Sequence, residues 1–306
     1  MRLRRQLLLP LLLAAIPRTA AAQSDGNAPL LLELPSSTRG LGLGGAFVLS
    51  NPDADAIFAA PGVLNSARGA GVTMQRYGSE SSLLSLAAAM AWAGGGLAFG
   101  LQSLSYGMDG TTLRSVPDDA SALLGTGSVT SAELVASVGY GRVIKGLQVG
   151  LVGKYIEQRI AGARSVTAAA DLGVAVRELG ITWSLMAQNL GPGLTIGESL
   201  PLPRRVTFGA STRSRPVGPL DLLASATVSR LRDGDIVPAG GLEISYWPIT
   251  GRTFTVRVGG RRVPGGTRSP ITFGAAFTGD RITIEYAFEE FDAPGAAHRF
   301  GVRWSG

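Results

Sequence analysis

Two stretches near the end of this chain alternate strictly between polar and apolar side chains. They are residues 281–288 (RITIEYAF) and 299–304 (RFGVRW). Because successive side chains of a strand point to opposite faces, a period of two predicts strands with one polar and one apolar face. In a soluble sandwich the apolar faces would meet in a core. In an outer-membrane barrel they would meet lipid, and the polar residues would line the lumen.

The same rhythm continues through most of the chain and favours the barrel. Strand-like segments lie near 71–79, 82–92, 95–106, 131–143, 147–159, 165–177, 181–190, 204–213, 220–231, 237–247, 253–262, 270–278, 281–290 and 297–304. Bacterial barrels use even numbers of strands, and most of these fourteen have about 9 to 13 residues, which suits a tilted membrane strand. The sequence therefore predicts an all-β, 14-stranded antiparallel transmembrane barrel.

The links between these segments alternate in length. Those at 93–94, 144–146, 178–180 and 279–280 are tight, whereas those at 107–130, 191–203, 263–269 and 291–296 are longer. Outer-membrane barrels have short periplasmic turns and longer outer loops. The alternation therefore predicts that both chain ends lie on the periplasmic side, although the short link at 80–81 does not fit it.

Residues 83–101 allow a second interpretation, because they carry no charge over the length of a membrane helix. Three adjacent glycines at 94–96 would cost such a helix roughly 3 kcal/mol. We therefore expect two strands joined by a tight turn at 93–95.

The first 22 residues have the form of a secretory signal peptide. Residues 1–5 are basic, residues 7–16 are largely apolar, and the alanines at 20–22 fit a cleavage site. Without this segment and its four arginines the formal net charge falls from +6 to +2, so nucleic acid is not expected as a partner. The chain has no cysteine, which excludes disulfides, thiolate metal sites and a lipoprotein anchor.

The alternation also assigns side chains to the two faces of the wall. We expect the following to face lipid: Ile282, Ile284, Tyr286, Phe288, Phe273, Ala275, Phe277, Val206, Phe208, Phe300, Val302 and Trp304. We expect the following to face the lumen: Arg281, Thr283, Glu285, Arg257, Thr272, Thr207, Arg299 and Arg303. Among these, Arg257, Glu285, Arg299 and Arg303 either form ion pairs that brace the wall or line a substrate path.

Residues 23–70 precede the strands and do not have their pattern. Gly40, Gly42 and Gly45 match a dinucleotide-binding spacing, but residues 34–37 do not form the preceding strand that such a site needs. Residues 53–60 predict a short helix stopped by Pro61, too short to be stable unless it packs on a wall. The apolar candidates for that packing, or for lining a hydrophobic ligand pocket, are Leu41, Leu43, Phe47, Ile57, Phe58 and Leu64.

Several motifs resemble one family of membrane proteins. Residues 39–48 (RGLGLGGAFV) and 51–64 (NPDADAIFAAPGVL) look like the N-terminal motif of PorV/PorQ-type outer-membrane proteins, relatives of the FadL-type long-chain fatty-acid channels. Residues 188–192 with 200–204, and residues 285–288, resemble later motifs of that family. Two positions depart from it: Ala60 replaces an asparagine, and Leu43 stands where methionine is common.

The resemblance covers the predicted mature chain and implies an N-terminal hatch inside the lumen. The expected domains are then the signal peptide (1–22), the hatch with its short helix (23–70) and the barrel (71–306). The PorV type implies cargo handling in type IX-like protein secretion at the outer membrane. The FadL type implies the alternative, uptake of long-chain fatty acids or other hydrophobic small molecules, and a purely structural barrel is a third reading.

The sequence predicts neither an enzyme nor a cofactor. Its one histidine, His298, is expected to face lipid, so a Ser-His-acid triad or a zinc site has no candidate. The expected partners are outer-membrane lipids, the barrel-assembly machinery, and either secretion-system proteins or hydrophobic small molecules.

Overall fold

The computed structural model describes residues 29–77, 81–106, 131–160, 163–196, 198–264, 268–291 and 295–305. The predicted signal peptide and the long link at 107–130 lie outside these residues. Within them, no helix has the length and apolar character needed to cross a membrane. The same residues hold no cluster of three or more histidine, cysteine or acidic side chains placed to bind a metal ion.

Fourteen antiparallel strands form one closed ring, which confirms the predicted barrel. They are β1 (Gly69–Tyr77), β2 (Ser81–Trp92), β3 (Gly95–Tyr106), β4 (Ser131–Ile144), β5 (Leu147–Ile160), β6 (Ala163–Glu178), β7 (Ile181–Leu190), β10 (Arg205–Thr212), β12 (Leu220–Leu231), β13 (Ile236–Ile249), β14 (Arg252–Arg261), β15 (Arg268–Thr278), β16 (Ile282–Phe291) and β17 (Ala296–Trp304). Successive wall strands pair, and β17 closes the ring on β1.

Three short strands complete the sheet structure. They are β8 (Leu194–Ile196), β9 (Glu198–Leu200) and β11 (Arg215–Val217). The first two form a separate hairpin in the link between β7 and β10, and β11 pairs only with the start of β12.

The two ends of the barrel differ, and we name them the turn end and the loop end. The turn end carries the tight connections, including Ala93-Gly94 between β2 and β3 and Lys145-Gly146 between β4 and β5. All four residues have positive φ, as two-residue hairpin turns require. The region 83–101 is therefore the expected hairpin and not a helix. At the loop end lie the ends of the strands that flank the links predicted to be longer.

The outer face of the wall is apolar, as the alternation predicted. Ile284, Phe273, Phe300 and Val302 are exposed on it, whereas Thr272 and Arg299 are buried on the inner face. Arg281 is an exception, because it lies in the turn before β16 and is exposed there.

Aromatic residues gather on the outer face near the turn end. All four tryptophans, Trp92, Trp183, Trp247 and Trp304, lie near it. Such aromatic girdles mark the interface between hydrocarbon and water in membrane barrels. His298 also faces outward, where its ring nitrogen lies 2.8 Å from the hydroxyl of Tyr286.

Residues 29–68 fold inside the barrel, and we call them the hatch. They contain a 3₁₀ helix (Leu30–Leu32), α1 (Thr38–Gly42), α2 (Ala56–Ala59) and a second 3₁₀ helix (Pro61–Ser66). The predicted helix at 53–60 is thus shorter, and Pro61 begins the next helical segment because proline suits a first helical position. The wall begins at Gly69, two residues before the predicted boundary at 71.

Helix α1 was not predicted, because its glycines disfavour a helix. The hydroxyl of Ser37 accepts a hydrogen bond of 2.9 Å from the amide of Gly40 and so caps its N-terminus.

The hatch packs on the wall through two apolar clusters. Near the turn end Ile57, Phe58 and Leu64 pack with wall residues such as Val152 and Met186. Near the loop end, the segment around Leu31 packs with wall side chains from β2 to β6. The described part of the chain therefore begins at the loop end. The N-terminal end, predicted to lie on the periplasmic side, is outside the described residues.

Glycines on the wall let the hatch backbone approach it closely. A Cβ at Gly150 would overlap the carbonyl oxygen of Pro61, and one at Gly259 would overlap the amide of Gly44. These contacts account for part of the high glycine content of the strands.

Candidate functional site

A buried ion network joins the hatch to the wall near the turn end. Arg39 of α1 donates two hydrogen bonds, of 2.9 and 2.7 Å, to the carboxylate of Glu243 on β13. Arg39 also lies 3.2 Å from the Asp53 carboxylate within the hatch. Arg303 on β17 pairs with the same Asp53 and, at 2.9 Å, with Glu285 on β16.

Arg257 completes this network from β14. Its guanidinium lies 2.7 Å from Glu243 and 2.9 Å from Glu285. Three arginines thus face three carboxylates, so each buried side chain of the network has partners of opposite charge. The predicted lumen candidates Arg257, Glu285 and Arg303 therefore brace the wall and anchor the hatch.

The hatch members of the network have shifted pKa values. Burial alone would lower the pKa of Arg39, but the negative charges of Glu243 and Asp53 outweigh it and raise the pKa. Burial alone would raise the pKa of Asp53, but Arg303 and Arg39 outweigh it and lower the pKa. Both groups are therefore ionised at neutral pH.

Asp55 lies beside the network but is not neutralised by it. Burial, followed by the charge of Asp53, raises the pKa of Asp55 to about 7. No hydrogen bond to its carboxylate occurs among the described residues. It is thus a buried acid in the hatch that can change charge near neutral pH.

Arg299, the fourth lumen candidate, belongs to a second group of contacts. Its guanidinium donates 2.6 Å hydrogen bonds to Gln75 and to the carbonyl oxygen of Pro35. Gln75 in turn donates to Glu289, which pairs with Arg261. These contacts fix the hatch at Pro35 to β17 and link β17 to β1, β16 and β14.

The motif at 188–192 has a local structural role. Asn189 has a positive φ of 58° at an irregularity in the β6–β7 register, and its amide donates to Asp171. Its side chain accepts from Lys154 and donates to the carbonyl oxygen of Pro203. These buried bonds hold the link after β7 against the wall.

A large cavity of the described structure lies between the hatch and strands β10 to β15. Its volume is about 300 Å³. One side is formed by hatch residues 32–36, and Gly44, Gly45 and Phe47 form its inner boundary. Exposed residues of the loop-end connections, including Arg232 and Arg262, form its mouth.

The lining of this cavity combines apolar surface with positive charge. The apolar part includes Leu32, Leu34, Phe47, Leu231, Val237, Ala239 and Val263. The charged part comprises six arginines, Arg204, Arg205, Arg232, Arg261, Arg262 and Arg268, with the acids Glu33 and Asp233. The lining therefore carries more positive than negative charge.

Arg205 is a lining arginine whose hydrogen-bond partner is a neutral side chain. Its Nε donates 2.9 Å to the neutral side chain of Gln188, and no ion pair to it is found among the described residues. Arg261 and Arg262, in contrast, pair with Glu289 and Asp235. Arg205 can therefore offer its charge to a ligand.

The cavity differs from the site predicted from sequence. Of the six apolar hatch candidates only Phe47 lines it, whereas Leu41, Leu43, Ile57, Phe58 and Leu64 are buried. None of the four lumen candidates lines it. Arg205 lies two residues from Thr207 and Arg261 lies four residues from Arg257, so each points to the same inner face as its neighbour. The alternation alone could therefore have identified Arg205 and Arg261 as residues that face the lumen.

Comparisons with known proteins yield solved structures of similar fold. No protein-family model and no curated protein matches the sequence. The toluene transporter TbuX of Ralstonia pickettii is similar with a TM-score of 0.52 and 12% identity, over 89% of this chain and 97% of that one.

Two further structures are similar to the same degree. The toluene transporter TodX of Pseudomonas putida gives a TM-score of 0.51 at 10% identity, over 86% of this chain and 95% of that one. A FadL homologue of Pseudomonas aeruginosa gives 0.50 at 11% identity, over 88% and 98%. At such identities the likeness concerns the fold, and the PorV/PorQ resemblance stays a prediction. The chain is a closed membrane barrel with the fold of FadL-like and toluene-transporter barrels.

Proposed function

We propose that this protein is an outer-membrane channel that takes up small molecules with an apolar body and an anionic group. The cavity between hatch and wall carries the proposal, because it is open at the loop end and has a volume of about 300 Å³. That is the size at which ligand pockets begin, and their linings are mostly apolar with a few polar groups. The similarity in fold to hydrophobic-substrate transporters supports uptake as the role.

The arginines support the anionic part of the proposal. A guanidinium recognises a carboxylate by charge and by paired hydrogen bonds. Arg205 is available for this, since the side chain that accepts its hydrogen bond, Gln188, is neutral. A neutral hydrocarbon would offer no counter-charge to such a group.

The secretion role has less support. It rests on the PorV/PorQ resemblance and on the link at 107–130, which lies outside the described residues. No contact of the described residues favours a protein cargo over a small molecule, so secretion remains the second hypothesis.

The first test fills the cavity without changing the outer face. Ala239 on β13 lines the cavity, whereas Ala226 on β12 is exposed on the outer face at the same height, because the pairs Thr227–Ala239 and Ala226–Gly240 are adjacent. We expect Ala239→Phe to weaken binding of 2-naphthoate to the detergent-solubilised protein at least tenfold. Ala226→Phe should bind as the wild type does.

The same assay tests the charge. Replacing 2-naphthoate by the neutral 2-methylnaphthalene should weaken binding, and Arg205→Gln should reduce the difference between the two probes. Undiminished binding by Ala239→Phe would show that this cavity is not the binding site. Equal binding of both probes to the wild type would remove the anionic part of the proposal.

A further inference from the structure

Three cavities follow one another from the loop end to the turn end. The large cavity borders Phe47. A second cavity, of about 30 Å³, also borders Phe47 and extends to Asp53 and Asp55. A third, of about 40 Å³, shares both aspartates and reaches Trp304 and Ser305 at the turn end.

Shared lining residues mean that the partitions between these cavities are thin. Phe47 lies between the large cavity and the second one. Asp53 and Asp55 lie between the second cavity and the third. A movement of the Phe47 ring and of the two aspartates would therefore join the cavities. The series would then run through the hatch from one face of the barrel to the other.

The two partitions are held by different contacts. The carbonyl oxygen of Phe47 accepts a hydrogen bond from Ser225 on β12, and the half-buried ring faces the large cavity. Asp53 is held electrostatically, between Arg39 of the hatch and Arg303 of the wall. The lower partition is thus an ion pair that another anion can compete for.

The wall itself offers one rival exit near the cavity. The pairing of β15 with β16 shifts register between Arg268 and Thr272, and Arg268 lines the cavity. However, the pairing of β14 with β15 reaches Gly260–Ile271, and residues 269–271 are not part of the cavity lining. Among the described residues, the lining of the cavity therefore does not extend into this register shift.

We propose that a molecule bound in the large cavity leaves axially, through the hatch, past Phe47 and then between Arg39 and Arg303. This inference rests on the proposed function. At the lower partition the anionic group of the ligand replaces the Asp53 carboxylate between the two arginines. One carboxylate is exchanged for another, so neither guanidinium is left buried without a counter-charge.

One variant blocks the route below the binding cavity. Ala59 of α2 lines the second cavity but not the first. Ala59→Phe should therefore leave 2-naphthoate binding within twofold of the wild type and lower its uptake into proteoliposomes at least tenfold.

A disulfide tests the same route without a bulky side chain. A Cβ built on Gly301 of β17 would lie 3.5 Å from the Cβ of Thr38, which is disulfide spacing, and the chain has no other cysteine. In Thr38→Cys/Gly301→Cys the oxidised bridge fixes α1, and with it Arg39, to the wall. Uptake should fall at least tenfold on oxidation and recover on reduction. The control is Ser245→Cys/Thr255→Cys, which bridges two paired wall strands.

The outcomes separate this inference from the function on which it rests. If the oxidised Thr38→Cys/Gly301→Cys protein binds 2-naphthoate and takes it up at the wild-type rate, the axial route is overturned and an exit through the wall is favoured. If the wild-type protein does not bind 2-naphthoate, the proposed function is refuted instead.

Discussion

Single residues of the hatch carry charges that the fold has to neutralise. Arg39 and Asp53 are neutralised by wall residues, whereas Asp55 is not. The charged groups that act on Asp55 are Asp53 of the hatch, Arg303 and Arg299 of β17, and Glu285 of β16. The protonation of Asp55 should therefore influence how firmly the hatch is docked.

The sign follows from the pKa of Asp55, which is raised from its ordinary value near 3.8 to about 7. A raised pKa means that Asp55 holds its proton more tightly when the hatch is docked, so protonation of Asp55 stabilises the docked hatch. This stabilisation is complete below about pH 4 and is lost as pH rises through 7. We expect hydrogen exchange of hatch amides, corrected for the intrinsic rate, to be at least about threefold faster at pH 8 than at pH 5.

Asp55→Asn supplies the matched control for this prediction. The variant cannot titrate, so its corrected exchange should be equal at the two pH values. Asp53 does not interfere, because its lowered pKa puts its titration below this range. A pH dependence that persists in Asp55→Asn would assign the effect to another group.

For single residues, the sequence predicts best which face of a strand a side chain points to. Alternation correctly placed Arg257, Glu285 and Arg299 inside the wall, since a strand offers only two faces. It could not reveal their partners, because Arg39 lies 204 residues from Glu243 in sequence. Phe47 was placed among the apolar hatch contacts, but sequence alone could not show that it borders the large cavity.

At the scale of elements, the hatch depends on glycines in the strands that it touches. The second 3₁₀ helix lies against β5, where Gly150 faces the carbonyl oxygen of Pro61. Gly153 on the same strand has no atom within 4 Å of an added Cβ. The two glycines therefore allow the same substitution to be compared with and without the hatch contact.

Gly150→Ala should displace this part of the hatch at a cost of about 1–3 kcal/mol, because the backbone must move to admit the methyl group. Limited proteolysis should then cut the hatch faster while the barrel remains intact. Gly153→Ala should be cut at the wild-type rate. Equal protection of the hatch in both variants would show that the close approach at Gly150 does not hold it.

Elements of the hatch were harder to predict than those of the wall. Wall strands have a regular pattern and their ends are marked by turn residues such as those at 145–146. The two α-helices of the hatch are only four or five residues long, and tertiary contacts determine them. Ser37 is an N-cap residue that favours a helix at α1, but the glycines that follow it disfavour one.

The whole molecule combines a rigid wall with a lumen that is only partly filled. The ring of strands, its apolar outer face and the hairpin at 83–101 followed from period two and from turn chemistry. The path of the hatch did not, because nothing local in residues 29–34 shows that they pack at the loop end. The space left between the hatch and β10 to β15 depends on that path, so the cavity could not be foreseen either.

Uptake of 2-naphthoate into proteoliposomes containing the full-length mature protein is the decisive test of the cavity as the entry site of a channel. We predict saturable uptake above that of protein-free liposomes, retained in Ala226→Phe and reduced at least tenfold in Ala239→Phe. Uptake no faster than in protein-free liposomes, or equal uptake by the two variants, would contradict the assignment of the cavity as the entry site of a channel.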